Sequence, residues 1–211
     1  YIISDPADGD QTIINTGVVE AEYALVATNF NSGANTVYVE NSGELRGRIV
    51  MGNSTDHITN TGLITGSIEL AFDNDVFDGS GGIQLGPIFG QAGNDTLIGG
   101  READILVGGA DNDTLDGGGN IDTAIVSGNR ADYTVTQTST GVFQVIGPDG
   151  TDTLTAIEYL QFDDETMRLL PGSGVSVNFE TADPSVYQTA MDGIRDFGGN
   201  DLGGQGGWLR I

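Results

Sequence analysis

Short runs of alternating apolar and polar residues dominate the first ninety positions, as in TVYVE (36–40), HITN (57–60) and LITGSIEL (63–70). A period of two with many β-branched residues predicts strands with one buried face. Asn-Thr-Gly and Asn-Ser-Gly punctuate the runs as turns. The pattern also repeats. INTGVVEAE (Ile14–Glu22), ENSGELRGRIV (Glu40–Val50) and TNTGLITGSIEL (Thr59–Leu70) share Asn-Ser/Thr-Gly followed by alternating apolar residues. Asn41 and Asn60 stand at the same interval as Gly47 and Gly66, and Gly66-Ser-Ile68 returns as Gly86-Pro-Ile88 after one position more. This period of about 19–20 residues predicts a parallel β-solenoid over residues 1–89, its coils stacked at about 4.8 Å with inward residues in ladders. An antiparallel meander is the competing arrangement. The step from Asn15 to Asn41 is longer than the others, which calls for an extra loop in the first coil, placed at NFNSGAN (29–35).

From Gly90 the period shortens to nine. The four units are GQAGNDTLI (Gly90–Ile98), GGREADILV (Gly99–Val107), GGADNDTLD (Gly108–Asp116) and GGGNIDTAI (Gly117–Ile125). The sixth residue is always aspartate: Asp95, Asp104, Asp113 and Asp122. The first is always glycine, and the fourth is Gly93, Glu102, Asp111 and Asn120. This segment resembles the calcium-binding repeats of RTX (repeats-in-toxin) proteins, whose unit is G-G-x-G-x-D-x-U-x with U a large aliphatic residue. The resemblance implies a β-roll over residues 90–125. It also implies that Asp95, Asp104, Asp113 and Asp122 are calcium ligands, with carbonyls of the turns completing each site. The fourth-position residues Gly93, Asp111 and Asn120 join the candidate set.

The spacing makes physical sense by itself. Six residues form a tight turn, in which glycine supplies positive φ without steric cost, and three form a short strand. Two units close one coil, so Asp95 stacks on Asp113 and Asp104 on Asp122. Carboxylates about 4.8 Å apart repel, and a hard cation between coils removes the repulsion. Six to eight oxygen ligands at about 2.3–2.6 Å suit Ca2+. Magnesium demands stricter geometry, and zinc wants nitrogen or sulfur, which the segment lacks. Upstream, Asp73-Asn-Asp75-Val-Phe77 matches Gly93-Asn-Asp95-Thr-Leu97 at the offset of the N-terminal coils. Asp75, with Asp73, is therefore either a further calcium position or a solvated acidic turn. Glu102, beside Arg101, stands where a turn glycine is expected and either distorts that turn or adds a carboxylate. Ile105 is apolar at an outward position, which places it under a loop or against a partner.

Charge narrows the partners. The chain carries 31 acidic residues against seven basic ones, all arginine, for a net charge of −24. Such a surface repels nucleic acid and anionic lipid and attracts cations. Cysteine is absent, and no apolar run approaches the roughly 20 residues of a membrane span. The one histidine, His57, cannot build a zinc site and is expected to face solvent or cap a turn. Glu44, Arg46 and Arg48 share one strand face, the arrangement of a solenoid polysaccharide lyase or, more simply, an exposed charge ladder. The ladder is the reading adopted, and the chain is read as non-enzymatic.

After Ala124 the period stops. Ser127–Tyr133, Asp149–Leu154 and Ile157–Asp163 resemble the post-repeat segment of RTX proteins, and residues 126–170 are read as a β-rich cap over the last coil. Asp149, Asp152, Asp163 and Asp164 are read as a solvated acidic loop in preference to another ion site. Residues 171–211 form a separate segment, with a short helix started by Asp183 and Pro184, an acidic loop at 196–203 and Trp208 as a core residue. The chain opens at Tyr1 without a basic-then-apolar leader and is read as part of a longer protein. The whole is thus an all-β chain: a parallel β-solenoid and β-roll with a C-terminal cap. The reading adopted is a secreted, calcium-binding structural or adhesive protein of a bacterial surface, open to self-association. The alternative is a non-catalytic calcium-binding module of a larger type-I-secreted protease, lipase or polysaccharide-modifying enzyme.

Overall fold

The computed structural model describes residues 2–4, 10–28 and 36–169. The extra loop expected at 29–35 and the helix, acidic loop and Trp208 expected beyond 170 lie outside the described residues.

Alternation sets the architecture. In Val37–Asn41 the inward side chains Val37, Val39 and Asn41 are buried, while Tyr38 and Glu40 are exposed. One coil later, Asp56–Asn60 repeats the pattern in parallel register, Val37 opposite Asp56 and Asn41 opposite Asn60. Among the described residues, the pairing continues coil by coil into two sheets of predominantly parallel strands, of eleven and nine strands. The antiparallel meander is thereby excluded. In the nine-stranded sheet, Val39, Ile58, Phe77, Leu97, Leu115 and Leu154 are paired in succession. In the other, Leu25, Ile49, Ile68, Ile88, Leu106, Ala124 and Leu160 do the same. Both columns are buried and belong to one hydrophobic core. Each Leu, Ile or Phe so buried contributes about 1.5–3 kcal/mol.

The period follows the expected numbers. Offsets are 19 between Val37 and Asp56, 20 between Thr96 and Val76, and 18 between Thr96 and Thr114. In the first coil the offset is 26 at Val18↔Glu44 and falls to 24 at Val26↔Val50, because bulges in Val18–Thr28 absorb the difference. The rest of the excess lies before Val37. Asn15, Asn41 and Asn60 form an internal amide ladder, with Nδ2 donating to the next Oδ1 at 2.7 and 2.8 Å. Asn60 closes it by donating to the Ile83 carbonyl at 3.1 Å. These bonds satisfy polar groups that would otherwise be buried unpaired. Where the coils turn, Gly47, Gly66 and Gly86 stack so closely that a Cβ on Gly66 would meet the Gly47 carbonyl oxygen at 2.1 Å.

The outer face is occupied by paired charges. Arg46 Nε donates to Glu44 at 2.8 Å and its Nη1 reaches Glu20 at 3.2 Å, while Arg48 pairs with Glu69 and lies over Tyr23. Instead of capping a turn, His57 stacks on Tyr38 of the neighbouring coil, with ring centres 5.2 Å apart.

Beyond the nine-residue units the parallel stacking continues. Gly150–Thr155 lies parallel on Thr114–Asp116, and Tyr159–Gln161 lies parallel on Thr123–Ile125. Antiparallel strands then form the far edges: Val142–Gly147 and Thr134–Ser139 on one sheet, Thr166–Arg168 on the other.

Candidate metal centre

The short strands Thr96–Ile98, Thr114–Asp116 and Thr123–Ile125 each follow directly on an aspartate. Strand pairing therefore brings these aspartates into columns. In the first column, Asp56, Asp75, Asp95, Asp113 and Asp152 are all at most 3% exposed. Each Oδ1 accepts an amide from the coil before it. The donors are Val37 N–H to Asp56 at 3.2 Å, Asp56 N–H to Asp75 at 2.7 Å and Asp75 N–H to Asp95 at 2.8 Å. Asp95 N–H donates to Asp113 at 2.8 Å and Asp113 N–H to Asp152 at 3.0 Å. The second column is shorter. Asp104 N–H donates to Asp122 Oδ1 at 2.7 Å, and Asp122 N–H to Glu158 Oε2 at 2.8 Å.

Most of the other carboxylate oxygens are orphans. Oδ2 of Asp56, Asp75, Asp95, Asp113 and Asp122, and Oδ1 of Asp104, are buried without a hydrogen-bond partner. A buried carboxylate left this way costs several kcal/mol unless a proton or a cation meets it. The carboxyl groups respond accordingly. Burial pushes Asp113 up to about 7, with Asp152, Asp95 and Asp111 adding repulsion, against amide hydrogen bonds that pull it down. Burial likewise pushes Asp95 and Asp122 up to about 6 and raises Asp104.

What surrounds these carboxylates fits a hard cation. A Cβ on Gly90 would lie 2.3 Å from Asp95 Oδ2 and 2.5 Å from the Gly108 carbonyl oxygen. On Gly99 it would lie 2.6 Å from Asp104 Oδ2 and 2.4 Å from the Gly117 oxygen; on Gly117, 2.5 Å from Asp122 Oδ2 and 2.2 Å from the Ala156 oxygen. The first glycine of each unit is thus enforced by space. Beside Gly90, Gly99 and Gly117 a carboxylate oxygen and a main-chain oxygen of the next coil converge, a donor set suited to calcium. Among the described residues no three acidic or histidine side chains gather to hold a metal. An ion here would take few carboxylates and complete its shell from the backbone.

The fourth-position residues serve the turn through their backbones. Asp73, Gly93, Asp111 and Asn120 have φ of 74°, 134°, 83° and 86°, and the side chains of Asp73, Asp111 and Asn120 are not buried. Neither Gly100 nor Glu102 has a positive φ, so the Arg101–Glu102 turn follows a different path. There Gly100 N–H donates to Asp104 Oδ2 at 2.6 Å, a bond of its own kind in these turns. Glu102 is exposed, and Ile105 is 42% exposed. The acidic residues of the last segment have separate partners. Asp163 accepts Gly128 N–H, Asp164 accepts Arg130 N–H, and Asp149 accepts the Tyr133 hydroxyl at 2.7 Å. Asp152 instead joins the inner column. Sequence reasoning missed Asp56, Asp152 and Glu158 as column members. The signal for Asp152 was present: Asp-Thr-Leu occurs at 95–97, 113–115 and again at 152–154, disguised by the long interval before its third appearance.

Fold and columns together define a parallel β-solenoid of the β-roll type, its turns lined by inward carboxylates. Residues 89–124 match the family model of the RTX calcium-binding nonapeptide repeat, in four copies, and the ion of this segment is calcium. No curated protein matches the chain.

Proposed function

We propose that this chain is a calcium-triggered structural or adhesive module, secreted and working at a bacterial surface. Calcium lies between successive coils, held by Asp95, Asp104, Asp113 and Asp122 with main-chain oxygens of the turns, including those at Gly93, Asp111 and Asn120. When bound, calcium supplies the positive charge that the inner columns lack. The carrying observation is the row of buried carboxylates, with the orphan oxygens of Asp95, Asp113 and Asp122 each beside an enforced glycine. Low cytosolic calcium leaves the repeats unfolded and threadable for export, and external calcium folds them. Circular dichroism in chelator and in millimolar calcium tests this; an identical β signal in both would refute it.

Self-association at the surface completes the reading. The antiparallel strands at the C-terminal edge of the stack act as the cap, while Ile2–Ser4 and Gln11–Asn15 form the opposite sheet edges. Strand edges carry unpaired backbone groups that another copy can satisfy. Four bound ions would bring the charge of −24 to about −16 and weaken repulsion between copies. Arg46 and Arg48, the cations a lyase reading would need, are engaged in ion pairs.

A further inference from the structure

The turn 70–75 lies outside the matched span, yet it folds as the repeats do. Ala71 and Asp73 have φ of 81° and 74°. Their counterparts Gln91 and Gly93 have 79° and 134°, and Gly109 and Asp111 have 115° and 83°. Phe72 bridges Ala92 in parallel, and Val76 and Phe77 register with Thr96 and Leu97. An outer asparagine ladder runs through all three turns: Asn94 N–H donates to Asn74 Oδ1 at 2.7 Å, and Asn112 N–H to Asn94 Oδ1 at 3.0 Å.

The independent observation is Asp75 itself. It is 1% exposed, its Oδ1 accepts Asp56 N–H, and its Oδ2 has no partner. A carboxylate oxygen sealed in this way calls for a positive partner. The coil before shares the orphan, since Asp56 Oδ2 is also buried without a partner, but its turn has a different backbone. Neither Gly52 nor Ser54 has a positive φ, and Asp56 Oδ1 is shared between Val37 N–H and the Ser54 hydroxyl.

We propose that the turns 70–75 and 90–95 hold a further calcium ion between them, with Asp75 Oδ2 and main-chain oxygens of both turns as ligands. The line of ions then begins one coil before the nonapeptide repeats. This rests on the reading of the repeat aspartates as ligands. One departure sets the affinity. Where the repeats have their first glycine, this turn has Leu70, fully buried in the core. A side chain thus stands where the repeats leave room beside the carboxylate, and on this reading the ion binds last.

The test is an ion count on the full chain by equilibrium dialysis and elemental mass spectrometry, for wild type, Asp75→Asn and Asp113→Ala. Asparagine keeps the acceptor for Asp56 N–H and removes the charge. Asp75→Asn is expected to bind one calcium fewer at saturation while the tighter ions stay. An unchanged count in Asp75→Asn with a reduced count in Asp113→Ala overturns the inference alone. Unchanged counts in both overturn the ligand reading beneath it as well. Should Asp75→Asn fail to fold, hydrogen exchange on the wild-type chain decides. Protection of amides 71–76 at calcium concentrations above those that protect 89–124 supports the site. Protection independent of calcium, or rising in one step with 89–124, overturns it.

Discussion

At the scale of single residues, position in a column matters more than charge. Asp113 is buried between Asp95 and Asp152, whereas Asp163 is exposed and accepts one backbone N–H. Asp113→Ala is expected to weaken calcium binding roughly 100-fold, about 2.8 kcal/mol, and Asp163→Ala to change it little; calorimetric titration separates them. Full affinity in Asp113→Ala would mean the register of the repeats is wrong. Gly90→Ala probes the same geometry from the other side. Its Cβ would meet Asp95 Oδ2 and the Gly108 oxygen, and the latter belongs to the backbone and cannot swing away. A loss of about 1–3 kcal/mol is expected in calcium, measured by chemical denaturation. The sixth-position aspartates and first-position glycines were legible in the sequence because a period of nine exposes them. Asp56 and Glu158 were not, since each is placed by strand pairing and lies outside the nine-residue grid.

At the scale of elements, short strands hold because identical inward positions stack. Leu106 is fully buried between Ile88 and Ala124. Leu106→Ala is expected to cost about 2–5 kcal/mol, read as a lower melting temperature in calcium. A loss below about 1 kcal/mol would mean that the column is not close-packed. The strand pairs explain why the N-terminal period was readable and the last coil was not. Val37–Asn41 and Asp56–Asn60 alternate cleanly and lie one period apart. Gly150–Thr155 stacks on Thr114–Asp116 only after the chain has made an antiparallel excursion through residues 134–147. Sequence distance hides a parallel pairing that backbone hydrogen bonds restore.

At the scale of the whole molecule, the proposed function makes folding a competition between protons and calcium in the carboxylate columns. Burial holds Asp95, Asp122 and Asp152 at about 6, Asp56 and Asp113 at about 7 and Asp75 at about 9, against an ordinary value of 3.8. Folded-state values raised above the unfolded ones mean that the calcium-free fold is favoured below about pH 4 and loses that support as pH rises through 6 to 9. In chelator, the β-sheet signal is therefore expected to grow as pH falls from 8 to 5, while in calcium it stays nearly flat. A calcium-free chain equally folded at pH 8 and pH 5 would contradict the columns as described. Self-association belongs to this scale too. Light scattering across a calcium titration is expected to rise with folding, and a folded chain that stays monomeric at high concentration would favour the role of an accessory module.

The sequence by itself determined the local grammar: alternating strands, turns at glycine and asparagine, a coil period that shortens where the nonapeptides begin, and aspartates on a grid of nine. These follow from short-range rules of backbone conformation and burial, which act within a few residues. Tertiary structure alone decided which oxygen of each aspartate is satisfied, that Arg46 and Arg48 are paired, and that Asp56, Asp152 and Glu158 extend the columns beyond the repeats. Those outcomes depend on which strand lies against which. That choice is made by stacking the core columns of the whole solenoid, through contacts such as Leu97 on Leu115 and Leu115 on Leu154 that join distant parts of the chain.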